Sequence, residues 1–219
     1  MNRIFLNIFK FLFSNIPLIL IQLIGIFIGY IFHIINKKSR FLLVENLTYS
    51  KIYKNKIDLN RAINKNIGET GKTIMESFAI WSSQEKRILN WVNDVKGFNE
   101  IDKAHSKKKG IIFLTPHLGC YEITSIYYGS KYPLTILYRP PRKKWLEKLI
   151  KDGRQKGFNV LAPTNKMGIK KILKALRKGE AVGILPDQAA NKGEGEWAEF
   201  FGRPAYTMVL VSKLVKKTG

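Results

Sequence analysis

Acidic residues are scarce in this chain. It has 16 Asp plus Glu against 38 Lys plus Arg, a formal net charge of +22 over 219 residues. A field of that sign excludes cationic partners and draws polyanions: nucleic acid, an anionic membrane surface or an acidic protein. Richness in Ile, Lys and Asn also has a compositional origin in AT-rich coding, so part of the excess carries no functional meaning. Cysteine is nearly absent. With Cys120 alone, a disulfide within the chain is excluded, and so is a zinc site built on several thiolates. Histidine is almost as rare, at His33, His105 and His117, which leaves few candidates for an imidazole catalyst. No metal or cofactor is expected. Disorder is excluded too, because 45% of the residues are hydrophobic and a core can be buried.

Charge of either sign is missing from residues 16–35, IPLILIQLIGIFIGYIFHII. A helix of that length reaches about 30 Å, the thickness of a bilayer hydrocarbon core. No small-residue cleavage site follows; Lys37, Lys38 and Arg40 do, so an uncleaved N-terminal membrane helix is expected. The basic flank favours a cytoplasmic C-terminal domain. Residues 4–13 suit a short interfacial segment. The expected division is an anchor over 1–36 and a folded domain over 37–219.

Beyond the anchor, Ile74, Phe78 and Trp81 recur at helical spacing and read as core. From residue 110 the texture changes. Gly110–Thr115, Leu134–Tyr138, Phe158–Leu161 and Ala181–Leu185 are short apolar runs ended by Pro, Gly or polar residues. Between them, Lys143–Lys156 reads as a helix. So does the Ile169, Ile172, Leu173 and Leu176 face that stops at Gly179. Strand alternating with helix predicts an α/β domain, with a central mixed sheet flanked by helices.

The segment Thr115-Pro-His-Leu-Gly-Cys-Tyr-Glu122 follows the first of these strands, where α/β sheets place their sites. His117 and Glu122, five residues apart, would diverge by about 140° on one continuous helix. They meet only if His117 lies in a turn and Glu122 in the first turn of the next helix, and Pro116 and Gly119 permit that break. A carboxylate beside an imidazole fixes its tautomer and stabilises the imidazolium, which activates a hydroxyl. Taken alone, His-x4-Glu is also the pattern of a structural histidine. Cys120, inside the motif, reads as a small buried hydrophobe rather than a nucleophile.

Pro116-His-Leu-Gly-Cys-Tyr-Glu122 resembles the His-x4-Asp/Glu signature of the glycerolipid acyltransferase superfamily. Leu137-Tyr-Arg-Pro140, Gly153-Arg154, Leu176-Arg-Lys-Gly-Glu180, Pro186-Asp-Gln188 and Phe200-Phe-Gly-Arg-Pro-Ala-Tyr-Thr207 match its bacterial branch in order. That branch comprises the late (lauroyl or myristoyl) acyltransferases of lipid A biosynthesis. The resemblance implies transfer of an acyl chain from an acyl carrier protein thioester to a hydroxyl of a lipid A precursor in lipopolysaccharide assembly. It implies His117 as general base held by Glu122, with Arg139, Arg154 and Asp187 binding substrate or assisting. Family members continue past residue 219, so the chain resembles a C-terminally truncated member. The stretch Asn191–Glu196 is more acidic than the branch usually shows.

Lysines on two helices suit docking of a strongly acidic carrier protein: Arg142, Lys143, Lys144 and Lys148, then Lys166, Lys170, Lys171 and Lys174. The competing enzyme is a membrane acyltransferase acting on a glycerophospholipid or glycolipid; those acting on lysophosphatidate usually carry Asp at the Glu122 position. A basic, membrane-tethered protein that binds nucleic acid or anionic lipid would explain the charge, but not His117, Glu122 and Asp187 at strand ends. No nucleic-acid motif is present.

Overall fold

Four short runs of β-branched and aliphatic residues, each too short for a helix, pair into one parallel sheet. The structure is a computed structural model that describes residues 3–141 and 143–219. Arg142, one of the lysine-rich helix's expected basic residues, lies outside the described residues. The strands are β1 (Ile111–Leu114), β2 (Leu134–Tyr138), β3 (Asn159–Pro163) and β4 (Ala181–Ile184), in the order β1-β4-β2-β3. The connecting helices are α7 (Glu122–Gly129), α8 (Lys144–Arg154) and α9 (Lys166–Arg177).

Alternate residues of each strand face opposite layers, as a pleated strand requires. On one face Leu134, Ile136, Tyr138 and Leu161 are buried with Tyr128 of α7 and Ile150 of α8. On the other, Ala162, Val182 and Ile184 pack with Ile172, Ala175 and Leu176 of α9 and with Leu214 of α10 (Leu210–Thr218). Helices therefore cover both faces, the arrangement that parallel strands need. Capping fixes where α9 begins: the Asn165 side chain accepts from the Gly168 N–H at 3.0 Å.

The α/β expectation is borne out. The mixture of strand directions is divided between two sheets, since the central one is parallel. β5 (Gly195–Phe200) and β6 (Arg203–Met208) form a separate antiparallel pair. Phe201 and Gly202 turn this hairpin, both with positive φ (50° and 70°), as a type I′ turn demands.

N-terminal to the sheet lie α1 (Arg3–Asn15), α2 (Leu18–Ile35), α3 (Lys37–Tyr49), α4 (Lys56–Ser82), α5 (Glu85–Leu89) and α6 (Phe98–Ser106). α2 is the one described helix long and apolar enough to cross a membrane. It packs antiparallel along α4: Gln22 donates to Glu76 at 2.7 Å, and the Tyr30 hydroxyl donates to the Asn64 carbonyl at 3.2 Å. Gly25, Gly29 and Gly71 form the seam. A Cβ on Gly71 would stand 1.9 Å from the Gly25 carbonyl oxygen, so no larger residue fits there without parting the helices. α4 also touches the loop after β1, where the Thr73 hydroxyl is 3.2 Å from the Gly119 carbonyl it donates to.

Candidate active site

The strand order explains how residues 70 apart in sequence come together. β1 and β4 are neighbours in register, Leu114 opposite Ile184, and the Thr115 N–H continues the ladder to the Ile184 carbonyl at 3.0 Å. His117 and Asp187 each stand three residues beyond that register pair, at the carboxyl ends of the strands. Asp187 grips His117 twice. Its Oδ2 accepts from the His117 backbone N–H at 2.7 Å, and its Oδ1 lies 2.8 Å from the ring Nδ1.

With Asp187 ionised, this contact is a hydrogen bond only if Nδ1 carries the proton, which leaves Nε2 as the basic nitrogen. Gln188 Nε2 approaches that nitrogen at 3.4 Å. Burial works against the Asp187 charge, but the hydrogen bonds from the His117 backbone and ring outweigh it and hold the carboxyl below its usual value of 3.8. Its contribution to stability is therefore present above that value and is lost only as pH falls through the lower, folded-state pKa.

The sequence expectation placed Glu122 directly against His117. The structure puts Asp187 there instead and pairs Glu122 with Arg154. Glu122 is the first residue of α7, and the loop before it turns through Gly119, whose φ is +56°. Its carboxylate is directed into the protein and is 3% exposed. Arg154, at the end of α8, donates Nε to Glu122 Oε2 at 2.9 Å and Nη2 to Oε1, a two-point clasp. Burial lowers the Arg154 pKa, but the hydrogen bonds and charge of Glu122 more than offset this and raise it.

Tyr121 links the two pairs. Its ring lies 4.8 Å from that of His117, edge-on, and burial first, then the Glu122 charge, raises its hydroxyl pKa. The phenol is thus a neutral donor beside the imidazole, a feature not anticipated from sequence.

Two cavities meet at these residues. One, about 340 Å³, is walled by apolar side chains such as Val95, Phe98, Ile101, Phe113, Tyr127 and Tyr128, with Thr115, Glu122 and Arg154 among its polar groups. The other is a cleft of about 960 Å³ that contains His117, Arg139, Arg154, Lys166, Lys170 and Lys213. Glu194 is the one carboxylate on its wall among the described residues. Arg154 and Leu185 border both cavities. The expected site residues therefore divide as follows: His117, Arg139 and Arg154 line the cleft, Asp187 stands behind His117, and Glu122 joins the apolar cavity. His105 sits apart, hydrogen-bonded to the Tyr128 hydroxyl and packed 4.2 Å from the Tyr132 ring.

The bacterial lipid A biosynthesis acyltransferase family has a sequence model that matches residues 3–219. The chain belongs to this family. Among its relatives are two enzymes of Escherichia coli (strain K12). The lipid A biosynthesis palmitoleoyltransferase is 26% identical over 141 residues, 64% of this chain and 45% of that one. The lauroyltransferase is 28% identical over 123 residues, 56% and 39%. A lipid A biosynthesis acyltransferase of Haemophilus influenzae (strain ATCC 51907 / DSM 11121 / KW20 / Rd) is 28% identical over 134 residues, 61% and 42%. The chain thus covers less than half the length of each of these relatives. In this family member, Cys120 makes a poor nucleophile. Burial, then the neighbouring Glu76 carboxylate, pushes its thiol up to about 12, so the thiolate is scarce at neutral pH. Alkylating reagents at neutral pH are therefore expected to modify Cys120 slowly in the folded protein and readily once it is unfolded, which peptide mass spectrometry after timed treatment checks.

Proposed function

We propose that the full-length protein carrying this chain transfers a fatty acyl group from an acyl carrier protein thioester to a hydroxyl of a lipid A precursor, at the inner membrane with its catalytic domain on the cytoplasmic side. The observation that carries this reading is an imidazole held by a carboxylate in a basic cleft that shares Arg154 and Leu185 with an apolar cavity. The cavity suits a hydrocarbon chain. The cleft suits the phosphates of a lipid A precursor, because Arg and Lys side chains pair with anionic oxygens. Their junction is where a thioester carbonyl and an acceptor hydroxyl would meet.

His117 Nε2 takes the proton of the acceptor hydroxyl as its oxygen attacks the thioester carbon. Asp187 holds the ring and stabilises the imidazolium. The tetrahedral intermediate collapses, the carbon–sulfur bond breaks, and the leaving thiolate takes the proton from Nε2. No covalent enzyme intermediate is required. Arg154, neutralised and locked by Glu122, holds its guanidinium in place at the junction of the two cavities, while Arg139 supplies a positive charge in the cleft.

Mass spectrometry tests this directly. Full-length protein, carrier thioester and an under-acylated lipid A precursor should yield a product heavier by one acyl chain; an unchanged precursor, or acylation of a glycerophospholipid instead, would refute the assignment. The carrier docking idea has its own test. Lys143 and Lys144 are exposed at the start of α8, and Lys166 and Lys170 line the cleft. Rim charges of this kind accelerate encounter and are screened over a Debye length of about 8 Å at physiological ionic strength. Added salt should raise the KM for carrier thioester. Lys143→Glu with Lys144→Glu should raise it further at nearly constant kcat. Equal use of coenzyme A thioesters, with no salt effect, would remove the docking role.

A further inference from the structure

We propose that α2 lies in the plane of the membrane surface, immersed on its exposed side, and does not cross the bilayer. This rests on the membrane association proposed above and concerns how that association is made. Length and apolarity alone suit a crossing helix: 18 residues reach about 27 Å against a hydrocarbon core of about 30 Å. Three features of the fold argue for the in-plane alternative.

The first is the company α2 keeps. Between the contacts Gln22–Glu76 and Tyr30–Asn64, the middle of α2 runs beside residues 64–76 of α4. That stretch of α4 carries Lys65, Asn66 and Glu69 on its exposed surface, with Arg61 one turn further on. Their side chains do not face a bundle interior: those of Arg61 and Glu69 are 77% and 50% exposed. Were α2 to cross, Glu69 and its partner Lys72 would sit near the bilayer centre and Lys65 within the hydrocarbon on an outward face, where charged side chains are costly. The glycine seam holds the two helices too close for α2 to enter the membrane alone without breaking that packing.

The second is where the two ends of α2 are tied. Before it, Arg87 donates to the Ile16 carbonyl, and Lys10 pairs with Asp152 of α8 at 2.8 Å. After it, Arg203 of β6 lies 3.9 Å from Glu45 of α3 and 3.9 Å from the centre of the Tyr49 ring. The leading flank is thus held by α5 and α8 beside the central sheet, and the trailing flank by the β5–β6 hairpin. A crossing would place them on opposite faces of the membrane.

The third is the shape of the apolar surface. Only Ile21, Gly25, Gly29 and His33 of α2 are buried. Leu20, Leu23, Ile24, Phe27, Ile31 and Ile34 stay exposed. Lys37, Lys38 and Arg40, also exposed, follow directly and complement anionic headgroups. An apolar face one helix long, a polar partner helix behind it and a basic end are what an interfacial helix needs.

Sided labelling decides the matter. In the full-length protein with Cys120→Ala and any cysteine beyond residue 219 also replaced, single cysteines are placed at Asn15→Cys and Lys38→Cys, one on each side of α2. A membrane-impermeant maleimide is then applied to sealed membrane vesicles of both orientations from expressing cells. The proposal expects both positions to react in one orientation and both to be protected in the other. Reaction of Asn15→Cys in one orientation and Lys38→Cys in the other would establish a crossing and overturn it, with membrane association intact. Recovery of the protein in the soluble fraction would instead remove the membrane reading itself. A nitroxide at Phe27→Cys should contact lipid while one at Lys65→Cys contacts water; lipid contact at both would also overturn the proposal.

Discussion

His117→Ala in the full-length protein is expected to lower kcat for acyl transfer by about 10²–10⁴-fold, the usual contribution of a positioned general base. The size follows from the geometry. Nδ1 is committed to Asp187 at 2.8 Å, and Nε2 opens on the basic cleft. The described side chains beside the ring are poor bases: Gln188, on the cleft wall, is an amide, and the Tyr121 phenol, packed edge-on against the imidazole, titrates above its usual range. Asp187 acts through His117 and is a positioning residue. Asp187→Asn should keep the fold yet favour the wrong tautomer, lowering kcat with little change in KM and shifting the acidic limb of the pH–rate profile. Asp187→Glu should restore part of the rate. If His117→Ala retains more than about a tenth of the wild-type rate, the general-base assignment fails.

Glu122→Ala is expected to act first on stability, by about 3–5 kcal/mol, because it strands the Arg154 guanidinium against a buried wall with no carboxylate. In a domain of this size, that corresponds to roughly 2–4 °C of thermal midpoint per kcal/mol. Glu122 is 3% exposed and the Arg154 side chain 17%, so solvent offers the orphaned charge little relief. Glu122→Leu combined with Arg154→Met should recover much of the midpoint, since an apolar pair of similar volume removes both desolvation costs. Measured below the lowered midpoint, Glu122→Ala should keep more rate than His117→Ala. A variant that melts like wild type but has lost its rate would move Glu122 into the chemistry.

Much of the fold is legible in the chain. Leu134–Tyr138 is β2 to the residue, and the other three apolar runs coincide with β1, β3 and β4 within a few residues at each end. Buried parallel strands are continuous apolar runs, and few other elements of that length are. The β5–β6 hairpin left a weaker trace. Its strands are GEWAEF and RPAYTM, charged or interrupted by Pro204, the first largely exposed and the second half so. The signal that was present is the Phe-Gly pair at 201–202, one of whose members is not a usual turn residue. The site was half legible. His117, Glu122, Arg139, Arg154 and Asp187 could be named, but their pairing depends on strand order, which no local pattern encodes. The nearby carboxylate in sequence was the natural partner for His117, yet β4 inserts between β1 and β2 and brings a distant one.

The equal offset of His117 and Asp187 from the register pair Leu114 and Ile184 makes this site a matter of counting. Everything between the two strand ends, two further strands and three helices, can lengthen or shorten at its loops without changing where the imidazole meets its carboxylate. The two short arms cannot. Deleting Pro116 or Leu185 would leave every catalytic side chain in the sequence and the core untouched, but would shorten one arm against the other and part the pair. Chain length in this protein is therefore free over some 70 residues and fixed over three on either side, and insertions recovered in a functional screen should fall accordingly.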